Sequence, residues 1–400
     1  MKKILIYVFL ISFCFGGQIF NPDISFILDN SYVGRSVEDE IFEELEIPGL
    51  YHPHHNFHAH SHGLNKNNGF NFNYGELYLY SPVDPYFDLH VVIPFSEEGL
   101  EIEEGYIVTR GLPFNLQFKM GKFRSSFGRL NVQHLHFWDF SNLPLVYKVF
   151  LGDDGLVEKG VNINWVLPFP FYLSLGLEVL QGENEQSFGI KGFSAESISV
   201  EDAKVPNLSV GFLKNSFDIG NLSILTGLSF ATGKSRISHL LEEELHAFAG
   251  KTKIFGFDFT AKYFINSYRY LSFQGEFILR NQKGKEYEYD GNQLYENSVS
   301  KVQGGFYSQL VLRFTRRWRT GFQYNLINKN DVKVNDIRKD FPQHFLSYYA
   351  MLEFNPTEFS RIRLEVGQNR TFYHEGKKKT INEVILEFNF AIGAHGAHPF

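Results

Sequence analysis

Hydrophobic and polar residues alternate with a period of two along most of the chain. Near the C-terminus the apolar residues fall on even positions, namely Val384, Leu386, Phe388, Phe390 and Ile392. Such alternation gives a β-strand one apolar and one polar face. Helical periodicity is scarce. The predicted strands are 22–33, 70–80, 85–95, 99–110, 113–123, 158–168, 170–181, 205–213, 221–232, 250–265, 268–281, 301–315, 317–328, 343–355, 358–369 and 381–400.

The connections between these segments alternate between long and short. The short ones carry turn residues, as at 81–84 and 355–357, and the tight link at 96–98 breaks the alternation. The predicted long loops are 34–69, 124–157, 182–204, 233–249, 282–300, 329–342 and 370–380. Outer-membrane barrels combine an even strand number with short periplasmic turns and longer outer loops. The pattern therefore predicts an all-β fold, a transmembrane antiparallel β-barrel of about sixteen strands, and disfavours a soluble sandwich or propeller.

The N-terminus has the features of a secretory signal peptide. Lys2 and Lys3 precede an apolar run over 4–15, which is too short to cross a membrane as a helix. We expect cleavage after Gly16, so that 1–16 is the signal peptide and 17–400 the barrel. A lipoprotein with Cys14 as the lipid-bearing residue is the alternative, although Phe13 is bulkier than the residue usual before such a cysteine. The expected location is the outer membrane of a Gram-negative bacterium.

Composition narrows the function classes. Aromatic residues make up 17% of the chain, with 43 Phe and 21 Tyr, and such residues favour strands and membrane interfaces. A net charge of -7 indicates no nucleic-acid partner. The chain contains no Gly-x-Ser-x-Gly elbow, phosphate-binding loop or His-Glu-x-x-His motif. We therefore expect a protein that is not an enzyme.

A barrel of sixteen strands is wide enough to leave an aqueous channel. Polar residues on the inward parity are then candidates to line it: Asp88, His90, Lys119, Arg313, Arg319, Arg361, Arg363 and Glu365. The four arginines could form a ladder that guides an anion. Alternatively, they brace the wall through pairs with Glu365 and Glu387, which is the interpretation the sequence favours.

A histidine-rich tract is the strongest local signal for chemistry. Six histidines occur within eleven residues of the predicted outer loop 34–69, and an acidic run precedes them: His52, His54, His55, His58, His60 and His62. Neutral imidazole binds Zn²⁺, Cu²⁺ and Ni²⁺, and carboxylates can complete the shell. Without a fixed ligand spacing, the tract predicts labile capture of zinc or another divalent metal rather than a tightly bound cofactor. A polar loop without a metal is the alternative.

The long loop 125–158 is the second candidate. It is rich in apolar residues such as Phe137 and Trp138, so it must bury them. Folding into the lumen would constrict the pore and place His134, His136 and Asp139 beside the path, as weaker metal candidates. Folding over the barrel mouth is the other option, and the sequence does not separate the two.

Several stretches resemble a known family. NPDISFILD, VDPYFDLHVVIPFSEEGLEIEEGYI, GKFRSSFGRLNVQHLHFWDF and LGDDGLVEKGVNINW are similar to Gram-negative proteins called zinc-regulated TonB-dependent outer membrane receptors. The resemblance implies an outer-membrane protein linked to zinc supply, with the histidine tract as a metal-contacting segment. Those receptors carry a plug domain that this chain has no room for. Its expected architecture is closer to porins of the phosphate-selective type, in which a long inserted loop also follows a GKF…FG strand.

The sequence therefore predicts a porin-like channel or receptor for small solutes, zinc or another divalent metal above all. An anion porin of the phosphate type, or a closed barrel acting in surface binding or adhesion, are the alternatives. The expected partners are outer-membrane lipid and the barrel-assembly machinery, which would recognise the strand ending at Phe400. A homotrimer is expected only by analogy with other porins.

Overall fold

The fold is a closed antiparallel β-barrel, seen in a computed structural model that describes residues 22–51, 64–195, 198–241, 244–290 and 294–393. Sixteen wall strands occur in these residues. They are β1 (Asp23–Arg35), β2 (Gly69–Pro82), β3 (Phe87–Ser96), β4 (Glu104–Thr109), β5 (Leu116–Arg124), β6 (Val157–Val166), β7 (Tyr172–Leu180), β8 (Leu208–Ile219), β9 (Leu222–Leu241), β10 (Glu244–Phe264), β11 (Tyr270–Asp290), β12 (Leu294–Arg313), β13 (Trp318–Val334), β14 (Phe345–Thr357), β15 (Ser360–Asn369) and β16 (Ile381–Gly393).

Each strand pairs with its neighbours in sequence, and the first strand pairs with the last. β1 and β16 run antiparallel from Ser25 opposite Gly393 to Arg35 opposite Glu383. This seam closes the sheet and leaves no open edge between these two strands. The predicted fold class and the count of sixteen strands are confirmed.

The two faces of the wall differ as the period of two predicts. In β16 the odd residues from Ile381 to Ala391 are buried, whereas even residues such as Val384 and Phe390 are exposed. Glu387 and Asn389 point inward with the buried set. The outer surface is therefore apolar, as a barrel in lipid requires, and the polar residues face the lumen.

The loop prediction is wrong for three connections. The ranges 233–249 and 282–300 fall largely within strands, because β9 to β12 are 20 or 21 residues long, and 329–334 belong to β13, which has 17. About 9–11 residues suffice to cross a bilayer, so these strands continue beyond the apolar band. The apolar–polar alternation weakens there, although the backbone pairing continues, for example from Leu222 to Ser238 of β9 against β10. The tight link at 96–98 is present, since Ser96 pairs with Gly99.

The barrel has a short-turn end and a long-loop end. The long-loop end carries helix α1 (Asp39–Glu43) and a hairpin of Phe193–Ala195 with Ile198–Val200, whereas helix α2 (Leu145–Leu151) lies inside the barrel. Among the described residues, none of the helices is both long and apolar enough to cross a membrane. The largest cluster of buried apolar side chains lies inside the barrel, where α2 and its flanking residues contact inward residues of the wall.

Candidate functional site in the barrel interior

The connection between β5 and β6, residues 125–156, is called the inserted loop below. Asn131 ties its two ends together, because its side-chain amide donates to the carbonyl oxygens of Ser125 and Leu156 at 2.8 and 3.0 Å and its oxygen accepts from Leu156 N at 2.7 Å. Near one of those ends, Ser126 N donates to Glu178 of β7 at 2.9 Å. The base of the loop is thus fixed to the wall at the long-loop end.

The inserted loop lies inside the barrel along the inner wall. The carboxylate of Glu276 on β11 accepts hydrogen bonds from the backbone of Arg129 and Leu130 at 2.8 Å each, and from the hydroxyls of Tyr147 and Tyr307 at 2.7 and 2.6 Å. Three of these donors belong to the loop, so one buried carboxylate holds the loop to a residue within a strand rather than to a rim.

Helix α2 packs against β11, β12 and β13. Pro144 precedes it and Gly152, at a φ of +82°, ends it, so the helix is confined to seven residues. All of its residues except Lys148 are buried, and Leu145 N donates to Asn325 of β13 at 3.2 Å. The apolar residues that the sequence required to be buried are therefore buried against one side of the lumen.

Three of the four predicted arginines form a network of ion pairs at the short-turn end. Arg319 binds both oxygens of Glu353 at 2.8 Å. Arg363, with a side chain 1% exposed, contacts Glu353 and Glu365 at 3.2 Å and Glu387 at 3.5 Å. Since their charges are compensated by neighbouring carboxylates, these arginines brace the wall.

The same network also holds the inserted loop. Arg363 donates to the carbonyl of Trp138 at 2.9 Å, and Arg361, which pairs with Glu387, donates to the carbonyl of His136 at 2.8 Å. Ser141 donates to Glu365 through its backbone N–H at 2.6 Å. The loop that begins at the long-loop end thus reaches residues close to the opposite end.

The predicted trio of His134, His136 and Asp139 is separated in the structure. Asp139 pairs with Arg319 at 2.8 Å, whereas the two histidines face β2 and β4. His134 Nε2 lies 3.0 Å from Glu104 Oε2, and His134 Nδ1 lies 3.7 Å from Glu76 Oε2. The histidines therefore belong to a different side-chain group from Asp139.

Carboxylates of the wall complete this second group. His134 Nδ1 lies 3.9 Å from Glu103 Oε2, and His136 Nδ1 lies 3.6 Å from Glu76 Oε1. One ligand atom each from Glu76, Glu103 and His134 lies within 4.8 Å of the others. We call Glu76, Glu103, Glu104, His134 and His136 the interior His–Glu cluster.

The electrostatic surroundings of the two histidines differ. Burial disfavours the charged form of His134, but the carboxylates of Glu76 and Glu104 hold the pKa of His134 well above its ordinary value. Burial lowers the pKa of His136, against the opposing charge of Glu76. The cluster therefore stabilises a positive charge beside Glu76 and Glu104 while favouring a neutral imidazole next to it.

The remaining predicted lining residues also face inward. Asp88 contacts Arg110 at 3.1 Å, and His90 bonds the hydroxyl of Tyr78 at 2.9 Å. Lys119 lies over the ring of Tyr106 at 4.6 Å, which also stacks on His90. Arg313, near the end of β12, donates to the carbonyl of Arg316. His90, Lys119 and the tyrosines thus form an aromatic and polar inner surface on β2 to β5, whereas Arg313 lies on β12.

The histidine tract lies outside the described residues, as do the signal peptide and Phe400. The residues that flank the tract, Tyr51 and Leu64, both pack at the edge of the interior apolar cluster. Leu64 also packs with Leu135, the residue between His134 and His136, against Tyr74 of β2.

Sequence reasoning missed the carboxylates of the interior His–Glu cluster. Glu76 is the acidic residue on the inward parity of β2, beside Tyr74, Tyr78 and Tyr80. That parity could have identified it as lumen-facing. Its proximity to a histidine 58 positions later in the chain depends on how the inserted loop folds, which the alternation does not encode.

Comparisons with known proteins agree with this architecture. An uncharacterised protein of Aquifex aeolicus is 63% identical over 388 residues, which are 96% of this chain and 81% of that protein. No protein-family model matches the chain. Among solved structures, the trimer form of OmpT, an outer membrane protein of Vibrio cholerae, has a similar fold, with a TM-score of 0.53 and 10% identity over 94% of this chain and 100% of that one. An anion-selective porin from Comamonas acidovorans has a TM-score of 0.52 and 11% identity over 93% of this chain and 100% of that one. OprB of Pseudomonas putida has a TM-score of 0.51 and 11% identity over 93% of this chain and 94% of that one. At these identities the likeness shows the fold alone, which is that of outer-membrane porins.

Proposed function

The chain belongs to the family of the Aquifex aeolicus protein, and we propose that it is an outer-membrane channel for small solutes, among them zinc or another divalent metal ion. The observation that supports a channel is the closed barrel of sixteen wall strands with the inserted loop attached along its inner wall. A barrel of this size is wider than its own side chains can fill. In the proposed channel, the loop constricts this lumen and leaves a path beside it.

Metal ions are proposed as solutes because candidate metal ligands lie where the inserted loop meets the wall. The interior His–Glu cluster places imidazole and carboxylate groups on the loop and on the facing wall. From its composition alone, the tract from His52 to His62 is proposed to bind metal ions labilely and so to raise their local concentration. The proposal assigns the chain no catalytic activity.

Conductance and flux measurements test the proposal. The purified, refolded chain in a planar bilayer is expected to give ohmic current steps, and proteoliposomes loaded with a zinc indicator are expected to fill faster than empty liposomes. The matched control replaces all six tract histidines by Asn. That variant should keep its conductance and fill more slowly at low micromolar zinc; equal filling rates would remove the tract from the mechanism.

An anion porin is the second candidate, since one structure of similar fold is an anion-selective porin. The ion pairs of Arg319, Arg361 and Arg363 argue against a free basic ladder. Reversal potentials in a KCl gradient separate the two: cation preference supports metal passage, and strong anion preference contradicts it. A barrel without current steps would be a closed surface-binding protein, the third candidate.

The proposed assembly is a homotrimer in outer-membrane lipid. It is suggested by the trimer form in which the Vibrio cholerae protein of similar fold was solved. Light scattering of the detergent-solubilised protein would give three chains per particle, and a single chain would contradict the assembly without affecting the channel.

A further inference from the structure

We infer that Glu76, Glu103 and His134 form a binding site for one divalent transition-metal ion inside the barrel. The site deepens the proposed function, and it rests on that function only for its role in metal passage. It lies between the inserted loop, which supplies His134, and the wall, which supplies Glu76 from β2 and Glu103 from the link into β4.

The donor atoms are arranged around a common point. His134 Nδ1 lies 3.7 Å from Glu76 Oε2 and 3.9 Å from Glu103 Oε2, and the three ligand atoms lie within 4.8 Å of one another. With metal–ligand bonds of roughly 2.0–2.2 Å, donors around a tetrahedral ion are roughly 3.3 Å apart. The observed separations are somewhat longer than that value. Small rotations of the flexible carboxylate side chains would shorten them to it.

The other groups of the cluster orient these donors. Glu104 Oε2 lies 3.0 Å from His134 Nε2, which leaves Nδ1 of the same ring directed at Glu76 and Glu103. An ion bound there would replace the proton on Nδ1, which would be released to solvent, while Nε2 would keep its proton toward Glu104. A carboxylate on the far nitrogen is the arrangement found behind metal-binding histidines. Glu104 is itself held by the backbone N–H of Arg124 at 2.7 Å, and the guanidinium of Arg124 pairs with Glu103.

An independent observation is that buried nitrogen atoms of the cluster lack hydrogen-bond partners. Within the described part of the chain, Nδ1 of His134 and Nδ1 of His136 are both buried and unbonded. The His136 side chain is only 7% exposed, and its Nδ1 lies 3.6 Å from Glu76 Oε1, beyond hydrogen-bond range. Buried polar atoms are normally satisfied, and an ion held by His134, Glu76 and Glu103 would satisfy Nδ1 of His134.

The donor set selects the class of ion. One imidazole nitrogen with carboxylate oxygens, and a second imidazole near by, suits Zn²⁺ and similar first-row ions. Ca²⁺ prefers six to eight oxygen ligands, which this group does not offer. Because His134 belongs to the loop and the carboxylates to the wall and its β4 link, a bound ion would cross-link the two. Metal occupancy should therefore stabilise the constriction.

The test uses the full refolded barrel in which the six tract histidines are replaced by Asn, so that only interior binding is measured. Calorimetric titration with Zn²⁺ is expected to show one saturable site per chain, and Ca²⁺ at the same concentration is expected to give none. In the same background, His134→Asn should abolish the site. Glu104→Gln should weaken it by about 10–100-fold, as loss of an orienting partner does.

His374→Asn is the matched control, because His374 pairs with Glu44 at 2.8 Å on the outer loops. It should bind zinc as the background does. Heat-modifiable mobility shows whether His134→Asn folds. If it does not fold, Glu103→Gln tests the same site, because it is a conservative change of a ligand at the inner surface. Absence of a saturable site in the folded background, or equal affinity in the background and Glu103→Gln, would overturn the inference.

The same proteins separate this site from the channel. Current steps without a saturable zinc site would overturn the interior site and leave the channel standing. A saturable site that responds to the variants, in a barrel without current steps, would support the site and contradict the channel.

Discussion

Asp139 of the inserted loop binds Arg319 of β13, with Asp139 Oδ1 2.8 Å from Arg319 Nη1. Arg319 is the second residue of β13 and lies next to the short turn 314–317, whereas the loop starts after Arg124 at the opposite end of the barrel. This single pair shows that the loop extends along most of the lumen. Gln309 of β12 donates to the second oxygen of Asp139 at 3.0 Å and fixes its orientation.

Replacing Asp139 by Asn should loosen this attachment without unfolding the barrel. Arg319 keeps Glu353, so the cost should lie between those of exposed and buried pairs, at about 1–2 kcal/mol. Urea unfolding followed by tryptophan fluorescence measures it. Asp153→Asn, the same change elsewhere on the loop, has only a 3.8 Å contact with Lys148 and should cost no more than roughly 0.5 kcal/mol. Equal costs would show that the pair does not hold the loop.

Replacing Arg363 should lower the free energy of unfolding far more than replacing Asp139. Its loss in Arg363→Met leaves the carboxylates of Glu353, Glu365 and Glu387 buried with less compensation, and removes the hydrogen bond to the Trp138 carbonyl. Breaking a buried pair costs about 3–5 kcal/mol. Arg370→Met, at an exposed position in the connection to β16, should stay within roughly 0.5 kcal/mol. A small loss for Arg363→Met in the same unfolding assay would mean that the network is not a brace.

The alternation of residues predicted the barrel because each wall strand separates an apolar environment from a polar one. Where the strands leave the apolar band, as beyond Gly233 of β9, both faces meet water and the signal disappears. The alternation is equally uninformative about contacts inside the lumen. His134 and Glu76 meet only because the inserted loop packs as it does, so their contact depends on tertiary packing rather than on a periodic pattern. The pairing of Asp139 with Arg319 is hidden from the sequence for the same reason.

Backbone spacing in the wall gives a third prediction. A Cβ at Gly305 of β12 would lie 2.3 Å from the carbonyl oxygen of Leu326 and 2.8 Å from Cα of Ile327 on β13. Both atoms belong to the backbone, so Gly305→Ala must displace the strand pair, at a cost of about 1–3 kcal/mol or more.

Gly211 of β8 is the matched position, since a Cβ there meets nothing within 4 Å. Gly211→Ala should be neutral, or stabilising by about 0.4–1 kcal/mol because the unfolded chain loses freedom. Unfolding midpoints of the two variants in one detergent decide the matter. A greater loss at Gly211 than at Gly305 would contradict the packing of β12 against β13.

The outward face of β15 tests whether the wall lies in lipid. Leu364 is 42% exposed on that face, opposite Leu352 of β14 and Leu386 of β16. Leu364→Arg would place a charge near the middle of the apolar band, at a cost of about 2–4 kcal/mol in a bilayer. Glu358→Arg, in the short turn before β15, lies near the membrane surface and should cost about 0–1 kcal/mol. Unfolding in lipid vesicles measures both free energies. Because water would solvate an arginine equally well at either position, equal costs would place the strand in water and contradict the membrane location.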